Sequence, residues 1–106
     1  MEFISGNVFI RPTTMPRKGL ACLGHTHNFD HTTIVFRGAI SVKVTRPNGE
    51  EMTKEFKAAS HFLVCADSKH EITALEDDTE FWCVYSHRTP QGDVVQVATG
   101  FEEAYR

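Results

Sequence analysis

Three of the chain's six histidines fall within seven positions, in the stretch GHTHNFDHTTIVFRG at residues 24–38. Imidazole is the side chain for proton transfer near neutral pH and the commonest protein ligand for transition metals. Spacing decides which of these uses is open. On a helix, His27 and His31 would share a face, but His25 and His27 would lie about 200° apart, so a helix cannot gather all three. On a strand, His25 and His27 point to the same face. Asn28-Phe29-Asp30 then suits a tight connection, because Asn and Asp tolerate turn geometry. His31 opens the next strand and can face the first pair from across the turn. Thr26, Thr32, Thr33, Ile34 and Val35 favour strand over helix. The arrangement predicts three convergent imidazoles, a facial set for a metal ion. The plainer reading is a solvated loop that happens to be rich in histidine.

The elements that must position these residues read as strands throughout. Runs of β-branched and aromatic residues alternate with turn signals. NVFIRP (7–12), LACLGHTH (20–27), TTIVFRG and AISVKVTR are the first four, with Gly38 a kink or bulge between the last two. PNGE (47–50) is the clearest hairpin turn, because Asn48-Gly49 suits positions that require positive φ. MTKEFKA, HFLV, HEITALE and EFWCVYS continue the series, PQGD (90–93) makes another turn, and VVQVA follows. The final FEEAYR is long enough for one helical turn. Eight or nine short strands without a long helix predict a β-sandwich or barrel.

Composition narrows the function classes. A chain of 106 residues holds one domain, expected to span 1–106, and its formal charge of −3 comes without a basic stripe for nucleic acid. No apolar run approaches the roughly 20 residues of a membrane span. The opening MEFISGNVFIRP does not read as a signal peptide, so the cytoplasm is the expected compartment. Cys22, Cys65 and Cys83 are odd in number and widely spaced. That predicts three reduced core thiols, with a thiol near a metal as the sharper alternative, and no disulfide framework.

Gly19, five residues, His25-Thr26-His27, three residues, His31, six residues and Gly38 together resemble the first cupin motif, G(X)5HxH(X)3–4E(X)6G. Every spacing agrees, and one residue differs: His31 stands where the family has Glu. A second stretch resembles the cupin PxGxxH motif through His70 alone, with Cys65 at its Pro position and Asp67 at its Gly position. An Asp can take the left-handed conformation that the missing Gly would supply, at some cost. The resemblance covers residues 19–86, leaving 88–106 as an extension. It implies an all-β, double-stranded β-helix or jelly-roll barrel with one divalent metal held by His25, His27, His31 and His70.

Four neutral imidazoles leave the ion's +2 charge uncompensated, which favours an anionic further ligand. Imidazole suits Zn, Cu, Fe and Ni, so the ligand set does not name the metal; resemblance to four-histidine cupins favours Mn or Fe. It also implies a homodimer. The expected function is a metal-dependent oxygenase for a small chelating substrate of diketone, enol or thiol type. No residue beyond the metal ligands is expected to be catalytic. A non-catalytic, metal-stapled binding module and a metal-dependent isomerase or lyase are the alternatives. Phe36, Trp82, Cys83 and Tyr85 are possible cavity walls, Asp30 a possible partner of a ligand imidazole, His61 a polar strand end and His87 a rim residue.

Overall fold

The computed structural model describes residues 3–26, 29–87 and 91. His27, the turn at 90–93 apart from residue 91, the VVQVA segment and the FEEAYR tail lie outside the described residues. Nine strands run in order: β1 (Phe3–Ser5), β2 (Val8–Met15), β3 (Ala21–His25), β4 (His31–Arg37), β5 (Ala39–Thr45), β6 (Glu51–Lys57), β7 (His61–Val64), β8 (Lys69–Ala74) and β9 (Thr79–Ser86). They form two antiparallel sheets, β1-β2-β9-β4-β7 and β3-β8-β5-β6. This is an all-β jelly-roll barrel of the double-stranded β-helix type. Among the described residues no helix is long and apolar enough to cross a membrane.

Strand alternation builds the interior. In β4, His31, Thr33 and Val35 are buried while Thr32 and Ile34 are less so; in β8, His70, Ile72 and Ala74 are buried. Met15, Val35, Ile40, Val42, Ile72, Ala74 and Phe81 form one core cluster between the sheets. Side chains of alternate residues point to opposite faces, so a single register shift would expose that whole set.

The strand expected at 7–12 is β2, and a shorter strand precedes it: Gly6 at φ +61 turns Phe3–Ser5 back onto Val8–Ile10. The 46–49 turn is also built differently from expectation. Gly49 takes φ +87 and its N–H donates to the Arg46 carbonyl at 2.9 Å. Asn48 is not left-handed; its Oδ1 accepts from the Glu50 N–H at 2.9 Å. An Asn side chain that mimics a backbone turn removes the need for a second positive φ.

Gly38 is the corner at which the chain leaves one sheet for the other. It has φ +75, its carbonyl accepts from the Ala58 N–H at 2.9 Å, and a Cβ placed on it would run into Thr79. Gly49 is equally left-handed, but a Cβ there meets nothing within 4 Å. Ala at either position carries the cost of positive φ, about 1 kcal/mol or more, and only Gly38→Ala adds a steric clash. Urea unfolding should therefore show Gly38→Ala to be clearly more destabilising than Gly49→Ala. Equal losses would mean that the corner relaxes freely.

Candidate metal centre

His31 and His70 arrive from different sheets. His31 opens β4 in the five-stranded sheet, opposite Val64 of β7. His70 is the second residue of β8 in the four-stranded sheet, opposite Val44 of β5. Both are 3% exposed, and their ring centroids are 5.0 Å apart at an interplanar angle of 55°. Imidazoles at adjacent positions on one ion would have centroids about 4.5 Å apart, given metal–nitrogen bonds near 2.1 Å. The observed separation fits two ligands of a shared ion.

The backbone places His25 beside them. It pairs directly with His70, after a register shift between Cys22 and His25. Cys22 pairs with Ile72, so three residues of β3 span two of β8. This β-bulge makes Cys22 and His25 the partners of two inward-facing residues, which plain alternation could not do. His27 lies outside the described residues. Among the described residues no group of three His, Cys, Asp or Glu side chains converges.

The loops that carry the histidines are tied together. Asp30, a possible partner of a ligand imidazole, accepts the Ala66 N–H at 2.7 Å through its Oδ1, clasping the β3–β4 loop to the β7–β8 loop. Asp67 takes φ +64, the conformation that the absent Gly would have supplied. The turn it makes brings the Ser68 carbonyl to 3.4 Å from His70 Nδ1. A carbonyl can only accept, so Nδ1 carries the proton and Nε2 keeps its lone pair.

The expected wall residues divide by face. Tyr85 points inward, between Phe9 (centroids 4.7 Å) and Phe29 (4.4 Å). Cys83 also faces the interior, with its Sγ 3.9 Å from Thr33 Oγ1. Phe36 and Trp82 do not line the interior. They pack on each other at 4.4 Å, with Phe36 45% exposed and Trp82 Nε1 donating to Glu80 Oε2 at 2.8 Å. Phe36 falls on the outward parity of β4 with Thr32 and Ile34, opposite to His31, Thr33 and Val35. His61 is exposed at its strand end, as expected. His87 is buried instead of lying at the rim, and its N–H donates to the Asn7 carbonyl at 2.7 Å. Cys65, expected in the core, is exposed.

A second feature was not anticipated. A cavity of about 420 Å3 opens between β6 and β7, the edge strands of the two sheets. Its floor includes Val44 and Val64, the register partners of His70 and His31. The shared face of Met52, Lys54 and Phe56 was legible from alternation, but the apposition of two sheet edges was not.

No family model matches the chain, and no curated protein matches it in sequence. Solved structures do share the fold. Bacillus subtilis oxalate decarboxylase, in a study of its Mn(II) centres, superposes with a TM-score of 0.70 at 19% identity over 94% of this chain. A cupin superfamily protein from Desulfitobacterium hafniense gives 0.67 at 11% identity, covering 81% of this chain and 73% of its own. A double-stranded β-helix cupin from Methanocaldococcus jannaschii gives 0.66 at 20%, covering 80% and 75%. The chain spans only 28% of the oxalate decarboxylase chain. The fold is that of the cupins.

Burial raises the Cys83 thiol above its ordinary range, against smaller lowering effects of the Thr33 hydroxyl and Arg11. Burial raises Cys22 in the same way, with Arg11 opposing. A thiol raised by folding holds its proton longer in the native state. Its stabilising effect is complete below the ordinary thiol pKa and is lost as pH rises through the raised value. Unfolding free energy should therefore fall on the alkaline side, less steeply in Cys83→Ala. A native-state thiol reagent should label the exposed Cys65 first, and equal labelling of all three thiols would contradict this interior.

Proposed function

We propose that the protein is a small metal-binding cupin that holds one divalent transition ion through His25, His27, His31 and His70. The observation that carries this reading is the pair of buried imidazoles, His31 and His70, 5.0 Å apart from opposite sheets. The backbone pairing of His25 with His70 supports a third ligand in the same layer. Manganese or iron is the favoured ion; the Mn(II) centres belong to a protein that shares the fold at 19% identity.

The favoured activity is oxygenation of a small chelating substrate of diketone, enol or thiol type. When bound, the ion supplies Lewis acidity and a template with open positions. The chain's own groups do the rest. Four neutral imidazoles leave the ion cationic, so the site selects an anionic substrate. The Ser68 carbonyl orients His70, and the Asp30 clasp holds the ligand loops together. The inward faces of Thr33, Cys83 and Tyr85 exclude water from the interior.

A non-catalytic, metal-stapled binding module is the second reading. It is favoured by the buried polar side chains of the described residues, which are His, Thr and Ser with no carboxylate among them. With His31 and His70 taken up as ligands, such an interior offers no carboxylate for proton transfer.

Elemental analysis of untagged protein, purified without chelator or added metal, tests the site. About one transition ion per chain is expected, with occupancy collapsing in both His31→Ala and His70→Ala, since loss of a ligand from a four-ligand set weakens binding steeply. Unchanged occupancy in either variant would remove that histidine from the ligand set. Loaded protein should then consume O2 with a β-diketone or thiol. Turnover without O2 would indicate an isomerase or lyase, and no turnover the binding module.

A homodimer is proposed through the outer face of the five-stranded sheet. Phe36 and Leu63 stand 45% and 61% exposed there, beside Trp82 and Ile34. Light scattering should give twice the 12.0 kDa chain mass, and Leu63→Glu should return the monomer. A monomeric parent protein would end this idea.

A further inference from the structure

The cavity at the β6–β7 seam is built from two unlike surfaces. Val42 and Val44 of β5 and Phe62 and Val64 of β7 give it an apolar floor and wall. Phe56 stacks on Phe62 at 4.2 Å and 19°, closing the seam at one end. At the open side stand Lys54 and Arg46. The acids of β6 face away: Glu51 pairs with Lys43 on the outer side of the sheet, and Glu55 shares that parity. Among the described residues no carboxylate is paired with Lys54. Arg46 reaches only Glu50, at 3.4 Å between side chains 50% and 62% exposed, a pair that solvent screens heavily.

We infer that this cavity is a binding site for a small amphipathic carboxylate, with its apolar body on Val42, Val44, Phe62 and Val64 and its anionic group on Lys54 and Arg46. The volume of about 420 Å3 falls in the range of small-molecule pockets, about 300–1,000 Å3. Apolar walls with few convergent polar groups are the usual composition of such sites. Both charged groups carry the same sign, so they select an anion over a neutral molecule of equal shape. The contacts come from strand side chains and need no metal. The cavity adjoins the proposed histidine centre, since Val44 and Val64 are register partners of the two buried imidazoles and Ser68, part of the lining, sets its carbonyl 3.4 Å from His70 Nδ1.

The test uses full-length protein as purified, titrated with 3-phenylpropionate and with its neutral amide, and followed by methyl NMR and calorimetry. The carboxylate should bind about tenfold or more tighter than the amide, the factor that corresponds to about 1.4 kcal/mol. Its shifts should centre on the Val42, Val44, Met52 and Val64 methyls. Lys54→Glu, a change at an exposed position that leaves the core intact, should remove the preference for the carboxylate. Adding EDTA should leave the affinity unchanged, so failure of the metal reading would not be mistaken for failure of this one. Equal binding of acid and amide, an unaltered preference in Lys54→Glu, shifts confined to other residues, or no saturable binding would each overturn the assignment.

Discussion

Two imidazoles buried together between the sheets are a costly feature that the rest of this molecule must hold in place. A polar ring taken out of water loses several kcal/mol unless its nitrogens find partners. His31 and His70 are each 3% exposed, opposite Val64 and Val44 on the neighbouring strands. The Ser68 carbonyl meets one His70 nitrogen. Most of the surrounding architecture can be understood as what holds this pair in place. β4 and β8 belong to different sheets, so the rings meet only when both sheets have formed and closed. The corner at Gly38, the bulge in β3 and the Asp30 clasp each act on one side of that closure.

The two ends of the interior differ in chemistry. Below the histidine layer, Thr33 and Cys83 give way to Val35, Ile72 and Phe81, a dry core with no ionisable group that charges near neutral pH. Beside the layer, the sheets diverge at the β6–β7 seam, and the same apolar face becomes the wall of an open chamber edged by Lys54 and Arg46. One strand can serve both roles because its residues alternate. Val42 packs in the core cluster and also reaches the chamber, while its neighbour Lys43 pairs outside with Glu51. Edge strands with unpaired backbone are normally a liability. Here Glu51, Glu55 and Lys57 on the outer side of β6, and the stacked Phe56 and Phe62 on the inner side, limit what can dock.

Much of the fold was legible from local pattern. β7 was read at its observed bounds, and the Gly38 break between β4 and β5 was visible as a glycine between two β-branched runs. The resemblance to the cupin motif, which has Gly at this position, also anticipated the left-handed Asp67, a conformation that Asp accepts more readily than most residues. What escaped the local pattern was side-chain direction and long-range pairing. Phe36 was weighed as a cavity wall from its type, whereas it shares the outward parity of Thr32 and Ile34 and packs on Trp82. The β3 bulge that sets His25 opposite His70 leaves no local mark. The Ala66 N–H that Asp30 binds comes from 36 residues away.

Residue types and their short-range spacing therefore determined that this is an all-β chain with imidazoles gathered near a strand junction. Strand alternation and turn chemistry act over two to four residues, and such information survives in one dimension. Which histidines meet, which aromatic rings turn outward and where a chamber opens were decided only by the pairing of the sheets. Those outcomes depend on register, bulges and the separation of two sheet edges, all of which join residues far apart in the chain. His31 and His70 are separated by 39 positions, yet their rings stand 5.0 Å apart. That distance is a property of the closed barrel.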